Sequence, residues 1–425
     1  MNRHFHVQLL VAAVLGGVPL TLVANGLRLA SQDGFASARG EAFVATADNP
    51  SAVYYNPAGI TQLEGNNLRA SIYGIYLDPS YRPPPGAPNS GSTYHIKNNY
   101  AAVPQLFYTH PPEDIPLSFG LGVYVPYGGN ASWPQDTGFR TVALRSSWQY
   151  VTINPVVALK VAPNFSVAGG VMVNHAKMEL EQGFLPRPLP LSNYFRFMGD
   201  GWSVGYNLGL LWQAHEKVSL GASFRSSATV TLGGRTEFEQ YPLAPDFYPA
   251  RRLPAHADFA FPLTAVFGIS YRPTPKWNFE FNADYADWSS FGTVTIHKSN
   301  PPPTFPDYDS TLNWQPSWMY EFGATRYFDN GWHVSTGYVF SGNSVPDVYY
   351  TPLAADLDRH FFSIGAGRKG KRFDFDVMYQ FGYGPAHTVI GSKPPSLSGR
   401  FAGENADGTY DFSSHAVLLT MGMHF

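Results

Sequence analysis

The chain of 425 residues contains no cysteine and little charge. Without cysteine, disulfide frameworks, thiol catalysis and cysteine metal sites are all excluded. Charged residues make up only 14% of the chain and the net charge is -3. A soluble protein of this size covers its surface with charge, and a nucleic-acid-binding protein carries a basic patch. The composition therefore argues against a soluble surface and against nucleic acid as a partner.

Long hydrophobic runs are also missing. Beyond residue 24 no stretch of 18 apolar residues occurs, which excludes membrane-spanning helices in that part of the chain. Aromatic residues are abundant, at 16%, with 26 Tyr and 31 Phe. Many aromatics, little charge and no long apolar run are typical of strands that alternate between lipid and an aqueous lumen. We therefore expect an all-β membrane protein.

The first 24 residues are the exception, since they are apolar from Val7 to Val23 after a short polar start with Arg3. This pattern predicts a signal peptide, cleaved near Ala24. The alternative is an N-terminal membrane anchor, which the glycines and the proline inside the apolar stretch disfavour. A signal peptide implies delivery across the inner membrane.

Strict alternation of apolar and polar residues carries the prediction of strands. In residues 277–285, Asn278, Glu280, Asn282 and Asp284 separate five apolar or aromatic positions. A soluble β-sandwich would alternate in the same way. The aromatic ends of the apolar faces and the polar character of the other face favour a membrane barrel. Because a carboxylate facing lipid costs energy, we expect Glu280 and Asp284 to face the lumen.

Segments of this kind occur fourteen times, an even number as single-chain bacterial barrels require. They lie at residues 68–78, 100–110, 116–128, 146–162, 164–180, 202–214, 217–229, 261–273, 276–288, 315–327, 331–341, 359–370, 371–383 and 412–425. Short turns are predicted at 162–164, 215–216, 273–275, 329–330 and 369–371, and long loops at 79–99, 129–145, 181–201, 230–260, 289–314, 342–358 and 384–411. Short turns on the periplasmic side and long loops outside are typical of outer-membrane barrels.

Between the signal peptide and the first strand, residues 25–66 show no convincing periodicity and many turn-forming residues. Irregular backbone at membrane depth is tolerated only where protein encloses it. We therefore predict that 25–66 forms a plug inside a barrel of residues 67–425. The alternative is a flexible periplasmic tail.

Three groups of motifs resemble a known family. The first comprises residues 25–29, 40–42 and the triplet Asn56-Pro57-Ala58, the second comprises motifs between Gly337 and Arg359, and the third is the stretch 122–129. Together they resemble the outer-membrane long-chain fatty acid and aromatic hydrocarbon transporters of FadL/TodX type. The resemblance covers the whole mature chain in order.

The resemblance implies a mechanism: external capture, a pocket in the barrel, movement of the plug and lateral exit through a kinked third strand. It assigns the kink to Pro126, Tyr127, Gly128 and Gly129. Proline lacks a ladder donor, and paired glycines weaken a strand. The alternative is that these residues merely end the strand at its external loop.

By the same resemblance, the third and fourth long loops capture the substrate. Their apolar candidates are Phe184, Leu185, Leu189, Leu191, Phe195, Phe197, Phe247 and Tyr248. Candidate contacts for a carboxylate are Arg187 and Arg196 in the loop, and Lys160, Arg225 and Arg272 in the lumen. The alternatives are that the loops only seal the barrel, and that the lumen cations balance Glu280, Asp284, Asp374 and Asp376. For the lumen cations we place that structural role first.

Two motifs imitate catalytic sites. Gly201-Trp202-Ser203-Val204-Gly205 fits a hydrolase pattern but lies in a predicted strand, and residues 365–370 fit a dinucleotide fingerprint but precede a strand. We therefore predict no enzyme, no cofactor and no metal. Members of the family can carry an anchoring arginine near the end of the fifth strand, where this chain has Met178-Glu179-Leu180. This difference leaves aromatic hydrocarbons open as substrates.

The sequence predicts a multi-pass β-barrel of the bacterial outer membrane that takes up hydrophobic substrates, with long-chain fatty acids as the first candidate. The alternatives are uptake of aromatic hydrocarbons and a general diffusion porin. The expected partners are these small molecules, outer-membrane lipid and lipopolysaccharide. The terminal aromatic Phe425 resembles the signal read by the barrel-assembly machinery. A monomer is expected.

Overall fold

The structure is a computed structural model that describes residues 26–87, 89–97, 99–183, 194–239, 246, 249–303, 305–393 and 404–425. The predicted signal peptide lies outside the described residues. None of the helices in the described ranges is long and apolar enough to cross a membrane.

Fourteen antiparallel strands close into a barrel, as predicted. They are β1 Asn67–Arg82, β2 Tyr100–His110, β3 Leu117–Ser132, β4 Arg145–Ala162, β5 Phe165–Gly183, β6 Tyr194–His215, β7a Val218–Arg225 and β7b Ala228–Phe238, β8a Arg251–Phe261 and β8b Thr264–Thr274, β9a Trp277–Ala286 and β9b Thr293–Lys298, β10 Ser317–Tyr327, β11 Trp332–Ser341, β12 Arg359–Lys369, β13 Phe373–Val389 and β14 Gly408–His424. Two short strands, Tyr94–His95 and Tyr308–Thr311, extend the sheet outside. β1 pairs with β14 from Asn67↔His424 to Arg82↔Thr409, which closes the ring.

The two faces of the strands differ as the alternation predicts. On β6, Trp202 and Trp212 mark the ends of an exposed apolar row, while Asn207 between them is buried in the lumen. Glu280 and Asp284 are 4% and 1% exposed and face inward, which confirms their predicted orientation. The greasy outer face and polar inner face are those of a membrane barrel.

On the external side the strands run further than predicted. β6 begins at Tyr194, β7b continues to Phe238 and β8a begins at Arg251, so the predicted loops 181–201 and 230–260 were too long. Above the membrane the outward face becomes charged, which ends the apolar alternation although the backbone ladder continues. Predicted loop residues 194–201 therefore lie in the barrel wall.

The segment before β1 fills the lumen with two short α-helices, α1 Gly34–Ala38 and α2 Ala52–Tyr55, and a 3₁₀ helix, Pro57–Gln62. The Asp33 side chain caps α1 by accepting hydrogen bonds from the backbone N–H groups of Phe35 and Ala36. Almost every side chain of this segment is buried, Phe43, Val53 and Ile60 completely. The segment is therefore a folded plug.

Glycines of the barrel wall allow the plug to approach closely. A Cβ on Gly337 would overlap the backbone of Gly40, and one on Gly323 would lie 2.5 Å from the carbonyl oxygen of Arg39. Further lumen glycines that face plug atoms in this way are Gly120, Gly209, Gly221, Gly268 and Gly365. Since only glycine lacks the Cβ, plug atoms can approach the wall backbone this closely at these positions.

Candidate functional site

An apolar cavity of about 60 Å³ lies in the external half of the lumen. Its lining includes Trp148 of β4, Phe259 of β8a and Ile296 of β9b, and Leu27 of the plug forms part of it. Binding pockets for small molecules have volumes of roughly 300–1,000 Å³. The cavity in this state is therefore too small for a long alkyl chain unless part of its lining moves.

A chain of aromatic rings leads from the cavity to the third strand. The ring of Phe259 lies 4.8 Å from that of Trp148, and the ring of Phe261 lies 4.4 Å from Tyr150 and 5.0 Å from Tyr127. Such edge-to-face and tilted contacts are the favoured geometry for aromatic side chains. The rings form a continuous apolar surface between the cavity and β3.

The barrel wall is interrupted next to Tyr127. β2 pairs with β3 only from His110↔Phe119 to Leu106↔Val123. Towards the external side, β3 remains paired with β4, with a bulge between Tyr124 and Tyr127 that contains Pro126. Since one edge of β3 has lost its barrel partner there, the ladder between β2 and β3 is open above Val123.

The plug occupies the free edge of β3. The backbone N–H of Leu29 donates to the carbonyl of Pro126 at 2.8 Å, and that of Gly128 donates to the carbonyl of Leu27 at 2.9 Å. The Gln32 side-chain amide donates to the carbonyls of Leu29 and Val125, both at 2.8 Å. Plug residues 27–29 thus act as a short extra strand on the kink.

Pro126, Tyr127, Gly128 and Gly129 lie inside β3, which continues to Ser132. They therefore do not mark the end of the strand, which was the alternative left open by the sequence. All four residues are buried. Their role in lateral exit stays a prediction.

The triplet Asn56-Pro57-Ala58 joins the plug to the wall. The Asn56 amide donates to the carbonyl of Val44 at 2.7 Å and to that of Leu210 in β6 at 2.9 Å. Its side-chain oxygen accepts a hydrogen bond from the N–H of Ala58, and Pro57 lies against Gly209. The geometry explains the motif as an anchor of the 3₁₀ helix.

The described capture residues lie in the wall and point inward. Phe195 and Phe197 are fully buried in β6, and the Phe195 ring lies 5.1 Å from Phe238 and 5.7 Å from Tyr308. Phe238 contacts Phe305 at 4.1 Å, so an aromatic cluster stands at the external end of the lumen. The other predicted capture residues, Phe184, Leu185, Leu189, Leu191, Phe247 and Tyr248, lie outside the described residues, as does Arg187.

Lys298 at the end of β9b was not predicted from the sequence. It shares a face with Ile296, which lines the cavity, and its ammonium lies 5.6 Å from the Phe195 ring and 5.8 Å from the Phe238 ring. Burial lowers the pKa of Lys298 to about 8, although Asp307 opposes this shift. A single lysine in a polar loop sequence gives no signal of this aromatic surrounding.

The predicted carboxylate contacts have different surroundings. Arg196 faces outward and pairs with Glu181 at 2.7 Å, Lys160 is exposed at the periplasmic end, and Arg272 pairs with Asp48 of the plug at 3.0 Å. Each therefore lies away from the cavity.

Arg225 is 7% exposed and stacks on the ring of Tyr54 at 4.1 Å. Its Nε and Nη2 atoms have no hydrogen-bond partner among the described residues. Buried charges are usually paired, because an unpaired one loses its hydration without compensation. Of the lumen cations predicted from the sequence, Arg225 is therefore best placed to bind an anionic group.

The lumen carboxylates pair with arginines other than those expected. Arg28 of the plug binds Asp284 at 2.6 Å, Arg39 of the plug lies 3.3 Å from Glu280, and Arg69 of β1 joins Asp376, Asp374 and plug residue Asp33. The expected balance by Lys160, Arg225 and Arg272 was wrong. Since a buried carboxylate needs a nearby cation, the few charges within residues 25–66 were the available signal.

The hydrolase-like Ser203 lies in the continuous strand β6, and residues 365–370 form the end of β12 and its hairpin turn. Neither motif has the strand-turn-helix context that its chemistry needs.

Residues 20–425 match the family model described as outer membrane protein transport protein (OMPP1/FadL/TodX). The chain belongs to this family. The FadL/TodX family consists of transporters and channels, not enzymes, so the protein is an outer-membrane transporter of hydrophobic substrates. This confirms the predicted class of function and the predicted location.

Among curated relatives, the long-chain fatty acid transport protein of Escherichia coli O6:H1 is 21% identical over 414 residues, with 90% of this chain and 89% of that protein covered. The 47 kDa outer membrane protein of Pasteurella multocida is 25% identical over 389 residues, with 84% and 87% covered.

Among solved structures, a FadL homologue of Pseudomonas aeruginosa has a TM-score of 0.82 at 19% identity and covers 94% of this chain and 100% of its own. The toluene transporter TodX of Pseudomonas putida has a TM-score of 0.70 at 12% identity, with 96% and 100% covered. These likenesses show that the FadL/TodX protein has the barrel fold of both.

Proposed function

We propose that the protein takes up long-chain fatty acids, which reach the apolar cavity from outside and leave sideways between β2 and β3 into the membrane. The observation that carries this proposal is the end of the β2–β3 ladder at Val123, beside the chain of aromatic rings. A chain of about sixteen carbons gains roughly 12 kcal/mol by leaving water. A lateral exit lets it pass from one apolar environment to another without crossing water.

Movement of the plug is part of this proposal, because Leu27 lines the cavity and residues 27–29 cover the free edge of β3. A ligand that pushes Leu27 aside would enlarge the cavity and loosen the contact with Pro126 in one step. The ion pairs Arg39–Glu280 and Arg69–Asp33 would hold the rest of the plug in place. We therefore propose a local rearrangement of residues 27–32 and not expulsion of the plug.

Two cations favour fatty acids over neutral hydrocarbons as substrates. Lys298 stands at the external aromatic cluster, and Arg225 lies deeper, near Tyr54 and Tyr124. A carboxylate would gain a charge-assisted hydrogen bond at either position, whereas toluene would gain none. In support, a curated relative is named a long-chain fatty acid transport protein. The toluene transporters among the similar structures make aromatic hydrocarbon uptake the second candidate.

Removal of the bulge tests the lateral exit. In β3 the register passes from Tyr124↔Thr152 to Tyr127↔Tyr150, so deletion of Pro126 would straighten the strand without turning its other side chains around. We expect the deletion to abolish uptake of labelled oleate by cells while the purified protein still binds it. Deletion of Pro385 is the matched control, since β13 has a bulge of the same size between Gly384 and His387 on another part of the wall. If the variant without Pro126 takes up oleate as well as the variant without Pro385 does, and both at the normal rate, the lateral route is excluded.

A reversible crosslink tests the movement of the plug. Arg28 and Tyr127 are bridge partners without mutual backbone hydrogen bonds, a pair in which the Cα atoms lie close. The chain contains no other cysteine, so Arg28→Cys with Tyr127→Cys would form a defined disulfide. Uptake should stop on oxidation and return on reduction of the same sample, which also controls for loss of the Arg28–Asp284 ion pair. If uptake is the same before and after oxidation, residues 27–29 stay in place during transport.

A general diffusion porin is the competing activity. Plug residues fill the lumen of this protein, with Phe43, Val53 and Ile60 completely buried. We expect the purified protein to be nearly silent in planar bilayers. A steady conductance of the size that open porins show would favour the porin.

We also propose that the protein is a monomer, lies in lipopolysaccharide-containing lipid and is inserted by the barrel-assembly machinery through the strand that ends at Phe425.

A further inference from the structure

The outer wall of the barrel carries a row of alternating charges at the external ends of five neighbouring strands. The register places Arg145 of β4 opposite Glu181 of β5, Glu181 opposite Arg196 of β6, Arg196 opposite Glu237 of β7b, and Glu237 opposite Arg252 of β8a. These five residues are called the charged row. Opposite charges on neighbouring strands attract each other across a sheet, so the row is stable in itself.

The charged row faces away from the lumen. On β4 to β7b the adjacent residues point inward and are buried, among them Ser146, Gln182, Phe195 and Phe238. In a strand successive side chains point to opposite faces, so the row points to the surroundings of the barrel. The side chains of Arg252 and Arg145 are 78% and 46% exposed, and that of Arg235, which also pairs with Glu237, is 55% exposed.

The height of the row above the membrane restricts its partner. Trp202 and Trp212 end the apolar row of β6, and ten residues at about 3.3 Å each, tilted by roughly 40°, span about 25 Å, the height of the apolar band of such barrels. Arg196 lies six residues beyond Trp202, which is about 15 Å above the band by the same arithmetic. A phospholipid headgroup layer adds only about 5–8 Å on each side. The charged row therefore lies above phospholipid headgroups and beside the saccharides of a larger glycolipid.

The chemistry of the row suits phosphate. Arginine binds phosphate with a planar fork of donors, and the row has an arginine at both ends. The three arginines recur on every second strand, about 10 Å apart, so neighbouring arginines can contact separate phosphates of one headgroup. Each guanidinium has five N–H donors, more than one glutamate can accept. Arg196 is shared by Glu179, Glu181 and Glu237, whereas Arg235 and Arg252 both pair with Glu237 alone. The donors that remain for a ligand are therefore mainly those of Arg235 and Arg252.

We propose that the charged row and Arg235 form a binding site for the phosphorylated saccharide headgroup of an outer-leaflet glycolipid. The site depends on the outer-membrane location and not on the proposed transport route. It lies on the outside of strands β4 to β8, whereas the opening in the wall lies between β2 and β3. Glycolipid bound there would fix the height and orientation of the barrel without entering the transport path.

The test measures glycolipid bound to the full-length protein purified from outer membranes in a mild detergent. We expect the double variant Arg235→Gln/Arg252→Gln to retain at least fivefold less phosphorylated glycolipid by native mass spectrometry than the unchanged protein. Arg82→Gln is the matched control, because Arg82 is a partly exposed external arginine, paired with Asp411, on the far side of the barrel. Equal retention by the double variant and the unchanged protein would overturn the proposal. The circular dichroism spectrum and oleate binding should stay unchanged in both variants.

Titration of the delipidated protein distinguishes the sources of phosphate. Purified glycolipid with a phosphorylated core saccharide should bind the unchanged protein at least fivefold more tightly than the same lipid without its core phosphates, and this preference should be lost in the double variant. Inorganic phosphate should compete only at millimolar concentration. If inorganic phosphate competes as well as the lipid does, the row is a general anion site, and the glycolipid proposal is wrong. If the glycolipid without core phosphates binds equally well, the arginines have no role and the proposal is wrong.

Discussion

The two sides of the lumen hold the plug in different ways. On the side of β9 to β12, wall glycines such as Gly337 lie directly against plug backbone, and Arg39 forms a fully buried ion pair with Glu280. On the side of β2 and β3, three plug residues form two backbone hydrogen bonds with a strand that has lost its barrel partner. The first side is fixed by close packing and charge. At β3 itself the contacts are neutral, and the charge of this segment is paired elsewhere, since Arg28 binds Asp284 of β9a at 2.6 Å. A separation from β3 that keeps this ion pair therefore costs least.

Removal of the buried Arg39 tests most directly how the plug is held on the side of β9 to β12. Arg39→Met leaves Glu280 without its cation, and loss of one partner of a buried pair costs about 3–5 kcal/mol. We expect a clear fall in the midpoint of thermal unfolding in detergent, measured by circular dichroism. The double variant with Glu280→Gln should lose less than the sum of the two single changes, because they share one interaction. Additive losses would mean that Arg39 and Glu280 act independently.

Close packing on the same side gives the next largest effect. Gly337→Ala would place a methyl group on the backbone of Gly40, which cannot move aside as a flexible side chain could. Overpacking of this kind costs about 1–3 kcal/mol. Gly74→Ala in β1 is the control, since its nearest neighbour would lie 3.7 Å away, in ordinary contact. A fall of the unfolding midpoint in the Gly337 variant alone is expected, and equal behaviour of both variants would contradict the tight fit.

Sequence patterns predicted the strands of the barrel better than the plug contacts and the open ladder at β2 and β3. Alternation predicted fourteen strands and the inward orientation of Glu280 and Asp284, because every second side chain of a strand faces lipid and is apolar. It missed the external parts of β6 to β8, where Arg196 and Glu237 replace apolar residues on the outward face. Partners such as Arg28–Asp284, 256 residues apart, depend on how the plug folds into the lumen. The open β2–β3 ladder depends on register, which a period of two does not determine.

A neutral contact on the weak side should give a smaller loss of stability and a larger change in uptake. Gln32→Ala removes the amide that joins the carbonyls of Leu29 and Val125. Two neutral hydrogen bonds contribute about 1–3 kcal/mol together at most, and much of this is recovered if water reaches the carbonyls. We expect a modest fall in the unfolding midpoint and faster initial uptake of oleate, because the plug strand separates more easily from β3. Slower uptake with normal folding would show that Gln32 guides the ligand.

Lys298 does not hold the plug on either side. A change in its charge should therefore alter ligand binding alone and give the smallest effect. Lys298 has a pKa of about 8, so its ammonium is largely charged at pH 7 and largely neutral at pH 9. Affinity for oleate, a carboxylate at both pH values, should therefore fall as pH rises through 8. The expected change is up to about tenfold, or about 1.4 kcal/mol. Calorimetric titration in detergent measures it. Lys298→Gln should bind oleate with the weaker, pH-independent affinity, and toluene binding should not change with pH in either protein. An undiminished pH dependence in the Lys298 variant would place the responsible group elsewhere, and the external aromatic cluster would then bind ligands through its rings alone.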